Sequence, residues 1–282
     1  MVENRPWLTV LSHLVLLAGC LVIVLPVWVA FVASTHEAAT MLRPPAPMIP
    51  GTHLLDNYAT VLFEGFGQAS RVPQWLVLFN SLVMALGITI GKIAISITAA
   101  FAIVYFRFPL RMTCFWLIFV TLMLPVEVRI VPTFSVVASL GMLDSYAGLI
   151  IPLIASATAT FLFRQFFLSV PDEMAEAARV DGAGPLRFFR DILLPMSRNS
   201  IAALFVIQFI YGWNQHLWPL LITTKESFYT IVMTVSRQAN VQDGVVQWNL
   251  IMALGILAML PPVLVIVFMQ RQFVRGLTDT EK

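Results

Sequence analysis

Lys92 carries a single ammonium group with apolar residues on both sides of it. An ionisable group in such surroundings is costly in hydrocarbon and faces protein or a wet cavity. It either closes a structural contact, with a partner charge or backbone carbonyls, or attracts an anionic substrate. Glu127 and Arg129 lie between Pro125 and Pro132. They read as an interfacial pair steadying a kinked helix end, or as a second stopping point for an anion. Trp213, Asn214, Gln215 and His216 form a polar cluster. Its amides suit the hydroxyls of a sugar or glycerol, and Trp213 and Trp218 offer faces to CH groups. Hydrogen bonding between helices would use the same residues.

Bond-making chemistry has no such foothold. Gly87-Ile88-Thr89-Ile90-Gly91-Lys92 is not a phosphate-binding loop, which needs four residues between the glycines and a Ser or Thr after the lysine. Gly87 and Gly91 read instead as a G-x-x-x-G face for close helix packing. No Ser/His/Asp set or carboxylate pair is spaced for catalysis. Cys20 and Cys114 lack C-x-x-C spacing and read as buried small residues. His13, His36, His53 and His216 share no ligand spacing, so no metal site is expected. The chain reads as a non-enzyme that binds no cofactor of its own. A net charge of +2, with no basic tract, gives no ground for a nucleic-acid partner.

The elements that must position these residues are membrane spans. The chain of 282 residues is 59% hydrophobic and 11% charged, with mean hydropathy +0.86. A soluble domain carries about 25% charged residues. A helix needs about 20 apolar residues to cross a bilayer. Six segments meet that need, over about 8–32, 73–106, 112–132, 145–165, 199–224 and 244–270. The first is too long for the apolar part of a signal peptide, about 7–15 residues, although small residues near Ala33 resemble a cleavage site. The fold class is an all-α polytopic membrane protein, one transmembrane domain over 1–282. The external 34–74 segment reads as an ordered cap with one short helix near 54–63.

Basic residues set the orientation. Arg5, Arg107, Arg111, Arg164, Arg179, Arg187, Arg190, Arg198, Arg271, Arg275 and Lys282 fall on one side, eleven in all; Arg43, Arg71, Lys225 and Arg237, four in all, fall on the other. The eleven predict cytoplasmic termini and a cytoplasmic 167–198 loop. In that loop Ser169 could cap a helix, Pro171 suits its first turn, and Gly182 suits its end. Met174, Ala177 and Ala178 would share a low-relief face towards a partner, and Leu186, Phe189 and Leu193 would face back to the bundle.

Glu176-Ala177-Ala178, Asp181-Gly182-Ala183, Phe189, Ile192 and Pro195 closely resemble the EAA loop of permease subunits in binding-protein-dependent ABC importers. The resemblance spans nearly the whole chain and falls in the carbohydrate-uptake class, nearest the branch that imports sn-glycerol-3-phosphate. It rests further on Glu3-Asn4-Arg5-Pro6-Trp7, Phe106-Arg107-Phe108-Pro109-Leu110-Arg111, Leu124-Pro125-Val126-Glu127-Val128-Arg129, Phe161-Leu162-Phe163-Arg164-Gln165-Phe166-Phe167 and Gly212-Trp213-Asn214-Gln215. It implies a type I importer permease of a bacterial inner membrane. The loop, through Glu176, Ala177, Ala178, Asp181, Gly182 and Ala183, would dock on an ATPase. Implied partners are a second permease subunit, two cytosolic ATPase subunits that bind ATP and Mg, an external substrate-binding protein and the lipid bilayer. The implied substrate is sn-glycerol-3-phosphate or a related glycerophosphodiester. A neutral sugar or oligosaccharide is the alternative within the class; an ATP-independent secondary transporter would have no use for the EAA loop.

Overall fold

The computed structural model describes residues 6–66, 72–121, 126–240 and 246–278, with backbone alone for 6, 126–127 and 271–278. Among the described residues every regular element is a helix. Hydrocarbon demands this, because a helix satisfies its backbone polar groups internally. In chain order the helices are α1 (Pro6–Ala33), α2 (Ala38–Met41), α3 (Leu54–Ala59), α4 (Gln74–Tyr105), α5 (Arg111–Val120), α6 (Val126–Ser139), α7 (Tyr146–Ile150), α8 (Ala157–Leu168), α9 (Asp172–Val180), α10 (Pro185–Phe188), α11 (Leu194–Met196), α12 (Arg198–Trp213), α13 (Leu217–Ile222), α14 (Ile231–Ala239) and α15 (Trp248–Thr278).

By length and composition, three helical stretches among the described residues could cross a membrane: Trp7–Ala33, Gln74–Tyr105 and Trp248–Gln270. Two bent pairs raise that to five if each pair is one span. Tyr146–Leu153 meets Ala157–Leu168 at 48°, and Pro185–Met196 meets Arg198–Trp213 at 71°. Of the segment expected as one span over 112–132, the described residues hold α5 and the start of α6, and residues 122–125 between them lie outside the described residues. α6 continues through Pro132 to Ser139, so Arg129 lies within a helix rather than at an outer end. The Thr133 hydroxyl donates to the Arg129 carbonyl (2.7 Å), satisfying backbone beside the proline.

The chain divides into two compact units. The first is Met1–Leu76 with Thr234–Leu260. Its polar clasp centres on Asn57, whose amide nitrogen donates to the carbonyls of Ser34 and His36, both at 2.8 Å. The Asn57 side-chain oxygen accepts from the Asn249 amide (3.0 Å). Gly51 packs where a Cβ would sit 2.6 Å from the Thr35 carbonyl oxygen, so only glycine fits. The expected short helix is α3, followed by a π-helical turn over Thr60–Glu64.

The second unit is Val77–Met233 with Pro261–Lys282, and it positions the candidate site. One core gathers Phe101, Phe163, Phe167, Ala178, Phe188 and Leu193 around the end of α4, α8 and the loop helices. Another gathers Met84, Ile88, Leu149, Trp218 and Ile222. Close contact comes from glycine. A Cβ on Gly87 would lie 2.6 Å from Ile150 Cδ1, and one on Gly91 would lie 2.5 Å from Ile154 Cγ2. Gly212 of α12 approaches Ala85 of α4 in the same way, at 2.9 Å to its Cα.

Candidate functional site

The loop expected to couple to a partner is built on α9. Asp172 and Glu173 occupy its first turn and Arg179 its last, each matching the sign of the helix end. Ser169 is not its cap. It is the C-cap of α8 and its hydroxyl donates to the Phe166 carbonyl (2.7 Å), leaving Pro171 at the α9 N-cap. The end of α9 is closed by Gly182, which has φ +73°. The Gly182 amide donates to the Arg179 carbonyl (3.0 Å) and the Ala183 amide to the Ala178 carbonyl (2.8 Å). That is a Schellman ending, which satisfies carbonyls the helix would otherwise orphan.

The faces of this element differ from expectation. Ala178 is 4% exposed and belongs to the protein's own core with Phe101 and Phe188. Within this chain its side chain packs inward, at the wall of a cleft, rather than on the outer face of α9. Its small side chain lets α9 approach the end of α4, beside this cleft of about 210 Å³ lined in part by Tyr105, Arg107, Ala175 and Ala183. Glu176, Ala177, Asp181 and Gly182 are exposed, as is Val180 at 87%. Leu186 is also exposed, at 78%, and Phe188 takes the inward place beside Phe189 and Leu193. The reason is a π-helical turn over Phe189–Leu193, which shifts the register that α-helical spacing assumes.

The pathway residues fall into three groups. Lys92 is buried on α4, and its Nζ sits 3.5 Å over the ring centroid of Tyr211 on α12. Arg129 of α6 is exposed. Gln215 donates to the Tyr211 carbonyl (3.1 Å) across a break in the helix. α12 ends at Trp213, with Asn214 as its C-cap, and α13 resumes at Leu217. Trp213 and Trp218 are fully packed, contrary to their expected role as open faces. Trp213 continues a stack with Phe209 (5.9 Å), and the Trp218 indole donates to the Gly148 carbonyl (3.1 Å). Asn214 is exposed and His216 half-buried. The Glu127 side chain lies outside the described residues. Cys20 and Cys114, expected to be buried, are both exposed.

Residues 92–279 match the model of the family described as "Binding-protein-dependent transport system inner membrane component". The chain belongs to this family. The permease is 57% identical to the "sn-glycerol-3-phosphate transport system permease protein" of Escherichia coli O157:H7 and of Shigella dysenteriae, with all of each chain covered. It is 56% identical to the protein so named in E. coli K12, again over full lengths. Its fold also matches a chain in the crystal structure of a bacterial ABC transporter involved in import of the acidic polysaccharide alginate. The TM-score is 0.81, with 18% identity, over 97% of this chain and 99% of that one. The permease is thus an ABC importer subunit with the type I permease fold, and its family is one of inner-membrane proteins.

Sequence reading missed three features of the permease. Tyr211 is one, because its partner is remote in the chain. The second is α14, an amphipathic helix in a stretch expected to be a loop. The third is a clasp at Asp144, which has φ +50°. Its carboxylate accepts from the Thr224 amide (2.6 Å) and hydroxyl (2.7 Å) and from the Lys225 amide (2.9 Å). The bond from the Lys225 amide, then that from the Thr224 hydroxyl, hold this carboxyl below its ordinary range. Among the described residues no three His, Cys, Asp or Glu side chains stand together to hold a metal.

Proposed function

We propose that this permease forms half of the translocation pathway of an ATP-driven importer of sn-glycerol-3-phosphate or a related glycerophosphodiester. The observation that carries the substrate is the 57% identity, over every residue of both chains, to permeases named for sn-glycerol-3-phosphate. A second permease subunit completes the pathway. Two ATPase subunits bind ATP and Mg and perform hydrolysis, and an external binding protein delivers the substrate. This chain performs no catalytic step.

Glu176, Ala177, Asp181 and Gly182 form the surface that meets the ATPase, and Ala178 and Ala183 fasten that surface to the bundle. Closure of the ATPase pair then pushes a stiff helix, and its anchors carry the movement to α4 and α8. Lys92 and Arg129 lower the barrier for an anion in a low-dielectric path. Glu127, Trp213, Asn214, Gln215 and His216 shape that path, Trp213 from behind as packing. Six spans place both termini and residues 167–198 in the cytoplasm of a bacterial cell.

The test is uptake by vesicles holding the whole complex with its binding protein. sn-Glycerol-3-phosphate should accumulate with ATP and a neutral disaccharide should not; the reverse result removes the substrate reading. Lys92→Met and Arg129→Met should each slow uptake while the complex still assembles. Wild-type kinetics in both variants and in the double variant would remove the pathway role.

A further inference from the structure

We infer that the cleft between the end of α4 and the inner face of α9 holds the headgroup of an anionic phospholipid from the cytoplasmic leaflet. The leaflet rests on the orientation proposed above; the anionic lipid rests on the cleft itself. The cleft has a volume of about 210 Å³. Pockets that enclose a whole drug-sized ligand run to about 300–1,000 Å³. A cleft of this size suits a phosphate and its glycerol, and leaves the acyl chains in the bilayer. Its wall is aromatic. Phe101 meets Phe106 edge-on, with 5.3 Å between ring centroids, and Tyr105 meets Phe188 in the same way at 5.2 Å. Phe101 and Phe188 are buried, whereas Phe106 is 42% exposed, so the wall is fixed at its back and open at its front. Tyr105 ends the 32-residue α4, a stretch long and apolar enough to cross a membrane. A tyrosine at the end of a span marks the level of the headgroups.

Charge selects the occupant. Arg107, two residues beyond α4, and Arg179, in the last turn of α9, line this one cleft. Both are exposed. No carboxylate is among the described residues that line it. Asp172, Glu173 and Glu176 of α9 are exposed and are not part of its lining. Arg187 and Arg190 are already engaged by Asp191, at 3.6 and 2.7 Å. Arg107 and Arg179 form no ion pair among the described residues. Guanidinium groups bind phosphate oxygens two at a time, and basic pockets at the cytoplasmic ends of spans take anionic headgroups. The ATPase is the less fitting occupant. Ala175, Ala178 and Ala183 line the cleft, and the exposed Glu176, Ala177, Asp181 and Gly182 do not. A phosphate held by both arginines ties the last turn of α9 to the end of α4.

The test uses the complete transporter, stripped of lipid in detergent and titrated with phosphatidylglycerol or phosphatidylcholine. Native mass spectrometry reads bound lipid and subunit content together. The wild-type complex should retain phosphatidylglycerol and not phosphatidylcholine. Arg107→Gln and Arg179→Gln should each weaken retention about fivefold, the effect of losing one arginine beside a lipid phosphate. Arg107→Lys keeps the charge and should hold most of the retention. Arg190→Gln removes an equal charge outside the cleft and should change nothing. Excess inorganic phosphate should not displace the lipid, because the aromatic wall also grips the glycerol end. Five results overturn the inference: equal retention of the two lipids by the wild type, unchanged retention when both arginines are replaced, an equal loss in Arg190→Gln, displacement by inorganic phosphate, or loss of ATPase subunits rather than lipid from the arginine variants, which would give the cleft to the ATPase. The comparison of lipids needs no variant, so it decides even where a variant fails to assemble. Labelling of Gly184→Cys from outside, with the lipid retained, would move the site to the outer leaflet, and that failure falls on the orientation alone.

Discussion

Gly182 sets the geometry of the coupling helix more than any other single residue. Its φ of +73° is one that L-residues avoid, and a Cβ built there meets nothing within 4 Å. The cost of substitution is thus one of backbone conformation, not of space. For a β-branched residue that cost is about 1 kcal/mol or more, while Asn tolerates the left-handed region far better. Gly182→Val should therefore weaken retention of the ATPase during purification more than Gly182→Asn does. Equal retention by the two variants would show that the helix ending does not govern docking. Gly182 was legible because a glycine after a charged, alanine-rich stretch has a physical meaning. The direction of Ala178 was not legible, since a small residue can face a partner's groove or the protein's own core with the same spacing. Tyr211 was hidden for another reason: no local period links residue 211 to residue 92.

At the scale of elements, apolar length marked where helices would lie but not where they would break. The stretch 145–165 contains α7, a 3-10 turn over Ile151–Leu153 and α8, with a 48° bend between its halves. Serine explains the restart, since Ser156 accepts from the Ala159 amide and caps α8. The break after Trp213 coincides with the polar run Asn214-Gln215-His216, but hydropathy averaged over a span's length passes over so short a run. The G-x-x-x-G reading did find a real seam: Gly91 lies against Ile154, which follows the 3-10 turn. Gly91→Ala would place its Cβ 2.5 Å from Ile154 Cγ2 and 2.9 Å from Ile154 Cβ. Overpacking of this kind costs about 1–3 kcal/mol. The variant should lower the thermal midpoint of the detergent-solubilised complex, and the drop should be smaller in an Ile154→Ala background. Additive losses would mean that α4 and this bend are not in contact, because coupling between neighbours is what a double-mutant cycle detects.

For the whole molecule, composition alone excluded a soluble globule, and helices follow from hydrocarbon's lack of hydrogen-bond partners. The separation into two compact units was not legible, because nothing in hydropathy records which helix packs on which. Orientation rests on a different kind of argument. Eleven basic residues are assigned to one side and four to the other, and the larger number marks the cytoplasm. Thr52 and Gly184 are both exposed and lie on opposite sides in this assignment. Cys20 and Cys114 are exposed free thiols and must first be replaced to clear the background. In that cysteine-free protein, Thr52→Cys should react with a membrane-impermeant maleimide on intact spheroplasts. Gly184→Cys should react only after the membrane is opened. Labelling of position 184 from outside would place α9 beyond the reach of a cytosolic ATPase and overturn the proposed orientation, together with the coupling role built on it.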